Sequence, residues 1–124
     1  MRIISIDGID FALRLDPFDA EDLAHSEALG AEYAKRIEAS GFPASMSADT
    51  MEAVFCALTD YIDGFLGSGA LALVSNGRRN VRDAFERAYK PLREAWMHAV
   101  FEGGAVIADA IALPEKYRIE AIRE

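Results

Sequence analysis

The apolar residues of this chain change period once. From Ile4 to Ile6 and from Ile9 to Leu15 they fall on every second position, and from Met51 onward on every third or fourth. A period of two belongs to a strand and a period near 3.6 to a helix, so the chain must begin as β structure and continue as α. Ser5, Asp10, Ala12 and Arg14 interleave with the apolar set, and Asp7-Gly8 separates the two runs. Both central residues of a type I′ turn need positive φ, which Asp-Gly supplies, so the pattern predicts a hairpin over about 2–6 and 9–14. A two-stranded ribbon is marginal alone and must pack on helices or join a sheet in another copy. Its outer edge, at Ile4 and Ile6, is therefore an expected oligomer contact.

Asp16-Pro17 opens the first predicted helix, over about 17–40, with Asp16, Asp19, Glu21 and Asp22 near the positive end of the macrodipole. Leu23, Leu29, Tyr33 and Ile37 supply its apolar stripe before Ser40-Gly41-Phe42-Pro43 ends it. Ser47 or Asp49 caps a second helix over about 48–66, where Met51, Val54, Phe55, Leu58, Ile62, Phe65 and Leu66 form one continuous face. Gly64, Gly67 and Gly69 break it, Ala70 to Val74 makes a turn of helix, and Asn76-Gly77 reads as a turn. Asn80 caps a third helix to about Glu102, with a kink expected at Pro91, which lacks an N–H. Residues 105–124 then form an apolar run and a short helix carrying Tyr117, Ala121 and Ile122, packed on the domain or on a partner. The fold class is α+β: an N-terminal hairpin and a three-helix bundle as one domain over 1–104, with a C-terminal helical extension.

At 124 residues, 52% hydrophobic and 27% charged, the chain can bury a core and is no disordered acidic tail. Its net charge of −8 argues against nucleic acid as the main partner. No apolar run approaches the roughly 20 residues needed to span a bilayer. The start, with Asp7 where a signal peptide is still apolar, points to the cytoplasm. Residues 1–63 hold 13 acids and 4 bases, and residues 64–124 hold 8 acids and 9 bases, six of them between Arg78 and Arg93. A basic patch with Arg78, Arg79 and Arg82 at its head is thus expected to meet the acidic half of an adjacent copy, or to form intramolecular pairs with Asp83, Glu86 and Glu94.

Groups that converge for chemistry are scarce. Cys56, the sole cysteine, lies among Val54, Phe55, Ala57 and Leu58 and reads as a small buried hydrophobe. Glu94, His98 and Glu102 share a helix face at a spacing open to a divalent ion, but the same spacing serves solvated ion pairs, as does Glu21 with His25. Gly67-Ser68-Gly69 has no following lysine and no preceding strand, so it is a joint and not a phosphate loop. Asp60 and Asp63 read as solubilising acids. No catalytic, cofactor or metal site is expected, and no enzyme.

Ile6-Asp7-Gly8-Ile9-Asp10-Phe11, Asp16-Pro17-Phe18-Asp19-Ala20-Glu21-Asp22, Phe65-Leu66-Gly67-Ser68-Gly69 and Asn76-Gly77-Arg78-Arg79-Asn80-Val81-Arg82-Asp83-Ala84-Phe85 together resemble a group of small proteins of tailed phages and prophages of Gram-positive bacteria. These are similar to the tail assembly chaperones of long-tailed phages, across about residues 1–100. Pro91 and the apolar segment after Gly104 depart from that pattern. The resemblance implies a non-enzymatic, cytoplasmic protein that binds a tape-measure-like helical protein and assembles with itself as a ring or spiral. Val106, Ile107 and Ile111 are the expected partner surface. The competing expectation is another small phage structural or regulatory protein, a head-tail accessory or host-directed inhibitor, also acting through protein contacts.

Overall fold

A computed structural model describes residues 2–123, with side chains through Ile111. Strands β1 (Ile3–Ile6) and β2 (Ile9–Ala12) pair antiparallel, Ile4 opposite Phe11 and Ile6 opposite Ile9. Asp7 and Gly8 take φ of 51° and 78°, the left-handed pair that this turn needs. A mostly helical chain follows, which makes the protein α+β.

The hairpin is sheathed by its own chain. Ile4, Ile6, Phe11, Leu13 and Leu15 all point into the core, and the Arg14 N–H donates to the Phe65 carbonyl at 2.8 Å. That bond satisfies one of the open carbonyls at the end of the second helix and fixes the ribbon there. The expectation of Ile4 and Ile6 as an oligomer contact is thereby corrected: their side chains are spent on the intramolecular core, and the exposed face of β1 carries Ile3 and Ser5 instead.

Helix α1 (Ala20–Ser40) starts three residues later than residue 17, because Asp19 is the cap and accepts from the Asp22 N–H. Asp16 uses its carboxylate to accept from the Phe18 N–H, a local turn that competes with helix. None of the α1 residues is buried. The helix rests on α2 (Ala48–Leu66) through Leu29, Tyr33 and Ile37. Leu29 fills a notch at Gly64, where a Cβ would stand 2.6 Å from Leu29 Cδ1. Ser47 caps α2 by accepting from the Thr50 N–H, and the predicted face of α2 forms the centre of the core with Leu58, Ile62 and Phe65 fully buried.

After α3 (Ala70–Ser75), Asn76 and Gly77 turn the chain with φ of 52° and 77°. Asn80 then caps one continuous helical rod made of α4 (Val81–Ala84), a π-helical turn (Phe85–Tyr89) and α5 (Lys90–Arg123). The disturbance expected at Pro91 is taken up upstream. In the π turn the Lys90 N–H reaches back five residues to the Phe85 carbonyl, so the irregularity that a proline imposes on a helix sits in the turn just before Pro91 and the rod continues through it. The predicted stop at Gly103-Gly104 is also corrected, since α5 runs through both glycines and the region after Pro114 continues it as the same helix. The packing expected of Tyr117, Ala121 and Ile122 lies outside the described side chains.

Candidate functional site

Helix α5 has two apolar faces and buries one. Leu92, Trp96 and Ala99 point inward, Trp96 meeting the Phe65 ring edge-on at 5.1 Å, and Gly103 extends this line. Roughly 100° to 120° around the helix, Met97, Val100, Phe101 and Ile111 stand in solvent, Phe101 at 69% and Ile111 at 67% exposure. Gly104 and Ala108 fall on the same outer line at spacings of three and four. A run of large exposed apolar residues on one face is unusual for a monomer's surface.

On the body side of α5, Val106 and Ile107 flank the inner line and border a groove of about 570 Å³, closed on the other side by Leu13, Leu15 and Phe18 and rimmed by Arg2, Arg14, Asp16 and Glu102. Phe18 reaches this place because Asp16 and Asp19 turn the chain before α1, and its ring lies on the bare backbone of Gly103. A Cβ there would sit 2.3 Å from Phe18 Cε2. Val106, Ile107 and Ile111 are thus all at the surface, and Met97, Val100 and Phe101 join them as residues that the sequence reading missed. The signal was present as a stripe in phase across residues 103 and 104, hidden by reading those glycines as a helix end.

The basic residues divide. Arg79 forms an ion pair with Glu52, lies 5.0 Å over the Phe55 ring, and holds the Glu52 carboxyl below the usual carboxylate range by hydrogen bonding. Arg87 donates to Asp7 at 2.5 Å and to Asp83 at 3.3 Å. Two of the six bases therefore meet acids of the N-terminal half within one chain, and Arg79 is corrected from an intersubunit group to an intramolecular one. Arg78 and Arg82 are exposed, Arg82 bordering a second apolar groove of about 470 Å³ with Tyr33, Ile37, Met46, Met51 and Phe85. Arg82 precedes Phe101 by 19 residues on the same rod, roughly 28 Å at 1.5 Å per residue, so the basic and apolar expected contacts are not one site.

Tyr33, Tyr61 and Tyr89 stack together at centroid distances of 5.2 to 5.5 Å, and Arg93 donates to the Tyr61 hydroxyl at 3.0 Å. Burial pushes the Tyr33 hydroxyl up to about 12 and raises that of Tyr61. Asp63, read from sequence as a solubilising acid, accepts from the Gly69 and Leu71 N–H groups at 3.0 Å each and so ties α3 to α2. Cys56 is half-buried beside Glu52 and Arg79, not in the core. His98 pairs with Glu102 at 3.0 Å, and Arg2 joins the same carboxylate.

Among the described residues no group of three His, Cys, Asp or Glu side chains is arranged to hold a metal ion, and no helix is long and apolar enough to cross a membrane. What the surface offers chemically is apolar contact on α5, edged by charge. Comparison of the chain with protein-family models, curated proteins and solved structures finds no match.

Proposed function

We propose that the protein is a non-enzymatic, tail assembly chaperone-like protein that acts in the host cytoplasm by holding a tape-measure-like helical polypeptide during phage tail assembly. The observation that supports this most is the outer face of α5, which keeps Met97, Phe101 and Ile111 in solvent on a helix whose other face is already in the core. A holder of a long helix needs such an apolar strip on a soluble, strongly charged body, and repetition of weak contacts supplies its avidity. In this reading the hairpin and the three long helices act as one unit. Copies join as a ring or spiral by setting Arg78 and Arg82 against the acidic outer surface of a neighbour's α1. Ile4 and Ile6 have no part in that contact.

Co-expression with a tape-measure-like helical protein tests the reading. A soluble complex that forms with the natural chain and is lost with Phe101→Ser and Ile111→Ser supports it. Failure of the natural chain to hold any such protein in solution, or light scattering of a strict monomer at about ten times the subunit dissociation constant expected for weak assembly, about 1 μM, refutes it.

A further inference from the structure

We propose that the pocket lined by the tyrosine stack and Arg93 is a binding site for a small monocarboxylate with an apolar body, an inference independent of the holder reading above. The pocket has a volume of about 540 Å³, and four separate elements each bring one polar side chain to it: Tyr33 from α1, Tyr61 from α2, Tyr89 from the π turn and Arg93 from α5. Tyr61 is only 4% exposed, and its hydroxyl accepts from Arg93 Nη1 at 3.0 Å. A phenol that accepts still has a proton to give, and among the described residues the Tyr61 O–H has no acceptor. Arg93 is half-buried, spends one of its five N–H groups on that bond, and forms no ion pair with any described carboxylate.

Donors thus outnumber acceptors around one cation that has no counter-ion in its own chain. Burial keeps the Tyr33 and Tyr61 phenols protonated well above neutral pH, so both remain donors. A half-buried guanidinium beside a buried hydroxyl is costly without an anion and suits the two oxygens of a planar carboxylate, which accepts from both at once. The rest of the pocket decides what the carboxylate is attached to. Its remaining walls are the tyrosine rings with Gly30, Ala34 and Ile37 of α1, which offer apolar contact and no further cation. The net charge of −8 disfavours the approach of a bare inorganic anion, so a ligand gains its affinity from an apolar body against those walls. Glu38, the one acid on the lining, is exposed and stands outside ion-pair distance of Arg93. Its charge selects against a second negative charge on the ligand, and so favours a monocarboxylate over a phosphate dianion.

The experiment titrates the full chain with phenylacetate, its uncharged amide phenylacetamide, acetate and phenyl phosphate, and follows the tyrosine ring resonances by NMR. A ligand the size of phenylacetate, about ten non-hydrogen atoms, is expected to bind with a Kd on the order of 1 mM. Phenylacetamide, which lacks the charge, and acetate, which lacks the apolar body, should each bind about tenfold more weakly or worse. At unchanged circular dichroism, Arg93→Gln should weaken phenylacetate binding about tenfold and Tyr61→Phe about threefold, while Glu38→Gln should tighten it about twofold. No shift of the tyrosine resonances at about 20 mM phenylacetate, roughly twenty times that Kd, overturns the site. Equal binding of the amide overturns it too, as does an Arg93→Gln variant that binds like the natural chain. Tighter binding of phenyl phosphate than of phenylacetate overturns the carboxylate assignment.

Discussion

Gly103 and Gly104 are neighbours in one helix and carry the same propensity cost, yet only one of them seats another side chain, and alanine at each separates the two effects. Replacing glycine by alanine inside a helix gains about 1 kcal/mol. At Gly104 nothing lies within 4 Å of the added Cβ, so Gly104→Ala should keep the whole gain and raise the melting temperature by about 4 °C. At Gly103 the Cβ stands 2.3 Å from Phe18 Cε2 and 2.8 Å from Cζ, so the ring must swing aside. Phe18 is 47% exposed, so at most about half of its surface, on the order of 100 Å², goes from contact to water. At about 25 cal/mol per Å² that costs up to about 2.5 kcal/mol, enough to cancel the gain and at full displacement to leave a net loss of about 1.5 kcal/mol. In a Phe18→Ala background the ring is already gone and Gly103→Ala should recover its gain of about 1 kcal/mol, giving a coupling of up to about 2.5 kcal/mol across the double-mutant cycle. Denaturant midpoints read by circular dichroism measure all four chains. Equal shifts for the two glycine variants in both backgrounds would refute the argument that Gly103 is kept bare for Phe18.

Asp63→Ala leaves the Gly69 and Leu71 N–H groups without their acceptor and should cost about 1 to 2 kcal/mol, whereas Asp60→Ala removes only an exposed pair with Arg36 and should cost about 0.5 kcal/mol or less; urea midpoints that fail to rank the two this way contradict the capping role. The Tyr33 hydroxyl is held protonated to about 12 against an ordinary 10, so the stability it contributes is complete below pH 10 and is lost as pH rises from 10 to 12. Allowing for partial exposure the loss is roughly 1 to 2 kcal/mol, and Tyr33→Phe should remove the corresponding late step from the phenolate absorbance titration. All four tyrosines ionising together near pH 10 would show that the stacked cluster does not exclude water.

What was legible in the sequence is what short-range chemistry decides. Asp7-Gly8 between alternating runs, Ser47 and Asn80 as caps, and the stripe of α2 each need only a few neighbours in the chain, and each has its place in the fold. Which partner covers a buried face is a different kind of fact. The alternation of Ile4 and Ile6 shows that one face of the ribbon is covered, but the covering surface is this chain's own helices, and nothing within ten residues says so. The ion pairs Arg79–Glu52 and Arg87–Asp7 join residues 27 and 80 apart, a separation at which a charge count cannot tell an internal partner from a neighbouring copy.

The outer face of α5 belongs to that second kind, although every residue of it was in view. Met97 and Phe101 precede the glycine pair, and Ile107 and Ile111 follow it. Local propensity ends a helix between them, which leaves two short apolar fragments with no common direction. An uninterrupted helix fixes their phase, because each residue advances about 100°, so fourteen residues from Met97 to Ile111 return to within roughly 40° of the starting direction. Scattered apolar residues then become one surface, and that surface exists only while residues 103 and 104 remain helical. The same glycine that weakens the helix at 103 admits Phe18, whose ring braces the helix from the body side at the point where propensity is lowest. The seat of Phe18 and the continuity of the outer face are therefore one structural condition: a change that dislodges the ring without restoring helix propensity should cost partner binding at Phe101 and Ile111 even though neither residue touches the altered site.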